Sequence, residues 1–236
     1  MKRLAVNGAS GRMGRRICAL AQDDPQFDLV ARFDRATSEV DDARNRDANS
    51  LHVDIVIDFS SEQGTLAALQ TAERCGAALL VGTTSLSPAI TEKLAVSATS
   101  IPIMIAPNTS RGVAVLSHLI AQAARLLGNE FDIDIIDVQH SAKRDAPSGT
   151  ALRLVESLAV NADVTLPAER VHSIRAGDVV GDHEVSFAGP GERIKISHAA
   201  TTRDVFAHGA LQAAAWLSSQ KPGMYRIEQS LGLQRS

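Results

Sequence analysis

Short apolar runs and longer amphipathic stretches take turns through the first part of the chain. The runs at 3–7, 29–33, 54–59, 78–81 and 101–106 have the length and apolar character of strands. Between most of them, at 12–21, 62–75 and 88–96, apolar residues recur every three or four positions, the spacing of one helix face. Such alternation predicts a parallel sheet wound with helices on both sides. From 34 to 52 the pattern lapses into Thr, Ser, Asp, Asn and Arg, which predicts a loop or a short, weak helix.

The second part has a different rhythm. A long helix is expected over 113–127, a strand over 131–138, then a polar loop and a helix from Gly149 to about 160. Three strand-like runs follow with no helix between them, at 170–175, 183–187 and 193–198. Ala176-Gly177-Asp178 and Ala188-Gly189-Pro190-Gly191 punctuate them, so a mixed or antiparallel sheet is expected. A closing helix at 204–217 and a short one at 222–233 complete the chain. The expected fold class is therefore α/β. A Rossmann-type doubly wound parallel sheet would occupy 1–110, completed by 204–236, and a second α+β domain would occupy 111–203.

Composition narrows the function. A net charge of −3 over 236 residues, with 3% aromatics, argues against a nucleic-acid partner. Apolar runs such as Ala77-Ala78-Leu79-Leu80-Val81 fall far short of the roughly 20 residues that span a bilayer. Met1-Lys2-Arg3 leads straight into Leu4 with no room for a signal peptide, so no membrane association and a cytoplasmic location are expected. Cys18 and Cys75 lack metal-ligand spacing and are expected to be free thiols, with no metal bound.

Gly8-Ala9-Ser10-Gly11-Arg12-Met13-Gly14 follows the first strand and opens the first helix. In that context the glycines allow a sharp turn, close approach of a pyrophosphate, and tight helix packing. Asp34, about 20 residues on at the end of the second strand, is placed to accept from an adenosine ribose hydroxyl, while Arg35 could meet a 2′-phosphate. NADH or NADPH is the expected cofactor, with NADH preferred. Gly82-Thr83-Thr84 and Ala106-Pro107-Asn108-Thr109 follow the fourth and fifth strands. Their hydroxyls and amide suit a ribose and a nicotinamide, because open α/β sheets bind ligands at the carboxyl ends of their strands.

The polar loop from Asp137 to Ala151 holds His140, Lys143, Arg144 and Asp145 ahead of a Pro147-Ser148-Gly149-Thr150 helix start. Cations beside unpaired helix N–H groups suit a small anion, and a lysine among cations can serve as an acid or base. Solvated loop residues would have the same composition. Arg203, ahead of the closing helix, is a weaker candidate for a carboxylate, with a surface or hinge role equally open.

With both ends in view the chain resembles the 4-hydroxy-tetrahydrodipicolinate reductase (dihydrodipicolinate reductase) family over nearly its whole length. The resemblance rests on the glycine turn, Ile57-Asp58-Phe59-Ser60, Val81-Gly82-Thr83-Thr84 and Ala106-Pro107-Asn108. In the second domain it rests on Lys143 with 145–151, Arg175-Ala176-Gly177-Asp178-Val179-Val180-Gly181 and Gly191-Glu192-Arg193. It implies a two-domain enzyme, usually a tetramer joined through the second-domain sheets, that passes a hydride to a cyclic unsaturated dicarboxylate. It also implies that Lys143 lies near the proton-transfer site, that His140 contacts substrate, and that Gly149 and Thr150 bind a substrate carboxylate. The cofactor would lie on Gly8 to Met13, Asp34, Arg35, Gly82 to Thr84 and Ala106 to Asn108.

One departure bears on the chemistry. The family carries two adjacent histidines in the polar loop, the first of them the usual proton donor, and this chain has Gln139-His140. An amide does not titrate near neutrality and cannot act as a general acid. Three readings follow: the family reaction with the proton from Lys143, His140 or water; a related cyclic imine or unsaturated acid as substrate; or a nucleotide-binding regulator without turnover.

Overall fold

The computed structural model describes residues 1–34 and 52–233, which divide into two compact units. One comprises Met1–Thr109 with Phe206–Gly232, the other Ser110–Val205. The expected loop or weak helix at 34–52, and Arg35 with it, lies outside the described residues apart from its two ends.

In the first unit, β1 (Lys2–Asn7), β2 (Phe27–Phe33), β3 (Ile55–Asp58), β4 (Ala78–Val81) and β5 (Pro102–Ile105) alternate with α1 (Arg12–Asp23), α2 (Glu62–Cys75) and α3 (Pro88–Ser97). All strand pairings are parallel, in the order β10-β5-β4-β3-β1-β2, where β10 is Gly223–Tyr225. Every residue of β3 and β4 is buried, as the unbroken Ile55-Val56-Ile57 and Leu79-Leu80-Val81 runs require of strands covered on both faces. Ala5, Val56, Leu69, Ala72, Leu79, Leu94 and Ile103 belong to one core. Ser61 caps α2 by accepting from Gly64 N–H, and Gly76, left-handed at φ 63°, ends it. Among the described residues no helix is long and apolar enough to cross a membrane.

The C-terminal stretch differs from expectation. Instead of one short helix over 222–233, it forms the edge strand β10 and a single turn, α7 (Ile227–Ser230). β10 has three residues, and with Met224 43% exposed it carries too little apolar alternation to announce a strand.

The second unit packs α4 (Arg111–Leu127) and α5 (Gly149–Ala162) on a four-stranded sheet. Its strands are β6 (Asp132–Gln139), β7 (Val171–Arg175), β8 (Gly181–Gly189) and β9 (Glu192–Ala200), in the order β7-β6-β8-β9. The sheet is mixed: β7 runs parallel to β6, and the other neighbours are antiparallel. Ile133, Ile135, Val185 and Phe187 form its inner layer with Leu116, Ile120, Leu154 and Leu158 of the helices. Register continues that inner face into polar residues, since Asp137 pairs with His183 and His183 with His198. Helix α6 (Asp204–Leu217) buries Ala207, Ala210, Leu211, Ala214 and Leu217, a stripe at helical spacing.

Helix α1 sits directly on the turn that precedes it. A Cβ on Gly14 would lie 2.1 Å from the Gly8 carbonyl oxygen and 2.7 Å from Ala9 Cα. Gly14→Ala must therefore push α1 off the turn, an overpacking worth about 1–3 kcal/mol. The expected outcome is a lower urea midpoint at unchanged m-value. A midpoint equal to wild type would show that helix and turn are not in contact.

Candidate active site

The dinucleotide end is assembled at the carboxyl ends of β1, β3 and β4. Gly8 turns the chain at φ +78°, and a Cβ there would lie 2.3 Å from the Phe59 carbonyl oxygen. Helix α1 then starts at Gly11 with no side-chain cap and no acid in its first turn. That uncapped start, on a backbone stripped of side chains, fits a pyrophosphate well. Arg12 and Ser10 are exposed, and Ala9 and Met13 are half-buried around it. Asp34 reaches back to the turn, where its Oδ2 accepts from Ser10 N–H at 2.7 Å.

A buried carboxylate fixes the loops around this turn. Asp58 is fully buried and accepts from Asn7 Nδ2 at 2.7 Å, Thr65 Oγ1 at 2.6 Å, Thr83 Oγ1 at 2.8 Å and Ser60 Oγ at 2.5 Å. One residue thereby ties the ends of β1, β3 and β4 to the first turn of α2. The Thr83 hydroxyl also accepts from Ser60 N–H at 3.0 Å. That hydroxyl thus serves the scaffold beneath the expected cofactor loop; Thr84, beside it, is exposed. Thr109 is 1% exposed and its hydroxyl donates to the Phe206 carbonyl at 2.6 Å. Gly82 makes room for the Phe59 ring, which a Cβ would approach to 2.2 Å. Ala106 is buried, its N–H bonded to the Val81 carbonyl at 2.8 Å, while Pro107 is exposed and Asn108 half-buried.

The second unit gathers the polar loop around another buried carboxylate. Gln139 is the last residue of β6, not a loop residue, and strand alternation turns its side chain to the same inner face as Asp137. It is 7% exposed, and its amide donates to Asp137 Oδ1 at 3.1 Å, with His183 Nε2 at 3.4 Å. Asp137 Oδ2 accepts from Ser148 N–H at 2.9 Å and from the Arg175 guanidinium at 3.2 Å. Burial works against the Asp137 carboxylate, but hydrogen bonds from His183, Ser148 and Gln139 outweigh it and hold its pKa well below the usual range. Behind His183, the His198 ring stacks at 6.4 Å, and burial first, then His183, pushes the His198 pKa down.

The candidate groups for an anion lie in the loop beyond Gln139. Lys143 N–H donates to the His140 carbonyl at 3.0 Å, closing a tight turn that brings these two candidates together. Lys143 Nζ lies 2.9 Å from Asp145 Oδ1, and this bond is the main reason the Asp145 pKa is lowered. Arg175 reaches the same stretch, donating to the Asp145 carbonyl at 2.5 Å. Ser148 Oγ caps α5 through Ala151 N–H, and Gly149 and Thr150 begin the helix next to Ser148, whose N–H shares Asp137 Oδ2 with Arg175. Arg175 and Asp137 were not singled out as site residues by sequence reasoning, nor were Asp58 and His183. The signals for Arg175 were its place at the end of a strand and at the head of a motif that carries the family resemblance; register sets it opposite Gln139. Arg203 is exposed.

Both parts of the chain resemble known proteins. The model for the dihydrodipicolinate reductase N-terminus matches residues 2–109 and that for the C-terminus matches residues 112–231. The 4-hydroxy-tetrahydrodipicolinate reductase of Nitratidesulfovibrio vulgaris (strain DP4) is 41% identical over 246 residues, covering 93% of this chain and 95% of that one. The enzyme of that name from Anaeromyxobacter dehalogenans (strain 2CP-C) is 37% identical over 270 residues, covering 99% and 98%. Among solved structures, dipicolinate-bound dihydrodipicolinate reductase from Paenisporosarcina sp. TG-14 superposes with a TM-score of 0.77 at 20% identity, covering 98% of this chain and 99% of that one. C. glutamicum DAP dehydrogenase in complex with DAP has a TM-score of 0.60 at 15% identity, covering 100% and 94%, a likeness of fold. With a glycine turn built for a dinucleotide, a cationic loop set on a helix start, and both halves matched by the same family, the chain belongs to the dihydrodipicolinate reductases.

Proposed function

We propose that this chain reduces 4-hydroxy-tetrahydrodipicolinate to tetrahydrodipicolinate in lysine and diaminopimelate biosynthesis, using NADH in preference to NADPH. The observation that carries the reading is the convergence of Lys143, Arg175 and the α5 start on one short loop. A dicarboxylate needs that combination of cations and oriented N–H groups. The preference for NADH rests on Asp34, whose carboxylate stands at the glycine turn where a 2′-phosphate would be repelled. When bound, the nicotinamide supplies a hydride.

The remaining work falls to the chain's own residues. Gly149 and Thr150 receive one substrate carboxylate at the positive end of α5, and Lys143 and Arg175 neutralise the charge of the pair. Converting the 4-hydroxy compound to tetrahydrodipicolinate takes up one hydride and one proton and releases the 4-hydroxyl as water, and Lys143 is the residue we assign to deliver the proton. Its Nζ is held by Asp145 and its side chain is 25% exposed, so it is both steered and in reach of water. Gln139 does not titrate, and its buried amide is committed to Asp137. His140 completes the turn with Lys143 and is assigned a substrate contact. The absence of a titrating side chain at Gln139 also favours a second reading, in which a related cyclic imine or unsaturated acid is the substrate.

We assign a homotetramer, formed through the outer face of the second unit's sheet. There Ile136 and Val138 lie beside Ile174, which is 47% exposed, and Arg170 bridges Asp132 and Asp134 at 3.0 Å. Sedimentation equilibrium is expected to give the mass of four chains, and a monomer would contradict the assignment.

Purified protein supplied with 4-hydroxy-tetrahydrodipicolinate is expected to oxidise NADH, followed by loss of absorbance. No oxidation by protein that still binds NADH would overturn this substrate and favour the second reading. Lys143→Ala is expected to lower kcat/KM by about 100-fold or more, as loss of acid–base help does; unchanged turnover would remove Lys143 from the site. Gln139→His is expected to change kcat by less than about threefold, because the new ring would face Asp137 and His183. A gain in kcat approaching the roughly 100-fold that a general acid contributes would place position 139 at the reacting atoms.

A further inference from the structure

Asp137 collects hydrogen bonds from parts of the second unit that are remote in sequence. Ser148 N–H comes from the start of α5, Arg175 from the end of β7, Gln139 from the end of β6, and His183 Nε2, at 3.4 Å, from β8. The carboxylate itself is fully buried and His183 is 4% exposed, so neither can meet substrate directly. Two of the four donors, however, belong to the groups assigned to the substrate carboxylates. We propose that Asp137 is the positioning residue of the substrate site, locking the α5 start and the Arg175 guanidinium into one geometry and holding the Gln139 amide inward. This rests on the proposed function, because it takes a dicarboxylate as the ligand.

A buried carboxylate left short of donors is costly, so the groups it recruits are held firmly. Arg175 has little other freedom: it also donates to the carbonyls of Ile174 at 2.8 Å and Asp145 at 2.5 Å. Its Nε is buried without a partner among the described residues, a donor left over beside the loop. The α5 start, by contrast, is tied to the sheet at Ser148 through Asp137. Release of that bond frees Gly149 and Thr150 to drift, and a displacement on the order of 1 Å can cost about 100-fold in a positioned site. Gly181 completes the arrangement, since a Cβ there would come within 3.2 Å of the Gln139 amide.

Geometry and charge can be separated by substitution. Asp137→Asn keeps an acceptor for Ser148 and Arg175, and the Gln139 amide can flip to accept from the new NH2. Asp137→Ala removes every bond. The probe is pyridine-2,6-dicarboxylate, with Kd measured by calorimetry in the presence of NADH. Asp137→Ala is expected to raise that Kd by about 10-fold or more while the Kd for NADH moves less than about twofold, and Asp137→Asn is expected to stay within about threefold of wild type. Hydrogen exchange of the 145–152 amides should speed up in the Ala variant and not in the Asn variant.

Acid sensitivity checks the charge separately. A folded-state pKa below the unfolded one stabilises the fold above the usual carboxylate range, and that stability is lost progressively as pH falls from that range toward the lower folded-state value. The groups facing Asp137 are His183 of β8, Arg175 of β7 and, behind His183, His198 of β9. Asp137→Asn should lose less stability than wild type between about pH 5 and pH 3.

An Ala variant that folds and binds the probe as wild type does would overturn the proposal, as would a wild-type chain that does not bind it. Should Asp137→Ala fail to fold, Ser148→Pro and Ser148→Ala decide instead. Both lose the hydroxyl cap, but only proline, compatible with φ −66° at this position, loses the N–H to Asp137. The proline variant should bind about 10-fold more weakly than the alanine variant, and equal affinities would sink the proposal. Wild-type protein that binds the probe yet does not oxidise NADH with 4-hydroxy-tetrahydrodipicolinate would cost only the proposed function.

Discussion

A carboxylate taken out of water must draw its hydrogen bonds from the protein around it, and both units of this chain are organised by that requirement. Asp58 ends β3 and Asp137 lies one turn of the pleat before the end of β6, each fully buried. Each accepts from segments that are separate in sequence and adjacent only once the sheet has formed. Unpaired, either group would be expensive enough to unsettle its surroundings, since burying a charge without partners costs several kcal/mol. Paired, it makes the loops at the strand ends rigid. Those loops are where an α/β sheet presents ligand-binding groups, so the constraint that holds the fold also prepares the site.

The two anchors differ in what they recruit. Asp58 takes only neutral donors, an amide and three hydroxyls, beneath a turn that leads into a helix start with no side-chain cap. Asp137 takes a guanidinium, a helix-start N–H and the Gln139 amide in a loop that must carry positive charge toward a dicarboxylate. Arg175 is thus compensated from behind and still cationic toward the loop. Gln139 acquires a role that does not depend on titration. At the position of the family's donor histidine, this chain has a side chain that completes the Asp137 cluster, and proton delivery passes to Lys143 in the proposed account.

Much of this was legible from residue order, and the boundary of legibility is physical. The glycine turn could be read because three glycines at fixed spacing between a strand and a helix have few other uses, and the strand–helix alternation exposed the parallel sheet. The mixed sheet was equally readable from runs punctuated by glycine. Gln139 was placed in the loop because its neighbours are polar, whereas β6 runs through it and alternation turns it inward beside Asp137. Hydroxyls at strand ends suit a ribose, but residue order could not show that those of Thr83 and Thr109 also satisfy Asp58 and the Phe206 carbonyl. His183 was invisible for the opposite reason, since a single residue on a strand signals nothing until register shows what it faces, and Arg175, although it opens a shared motif, had no role until register set it opposite Gln139. β10 was missed because three residues at a sheet edge carry no usable periodicity.

The central claim is that the substrate's carboxylates are held by a helix start and two cations which Asp137 positions from behind. A crystal structure of the chain with NADH and pyridine-2,6-dicarboxylate tests it most directly. The account predicts one carboxylate at hydrogen-bond distance, about 2.7–3.2 Å, from the Gly149 and Thr150 N–H groups, with Lys143 and Arg175 beside the ligand and the Gln139 amide still on Asp137. A ligand seated away from the α5 start, or Gln139 swung out to touch its ring, would contradict it.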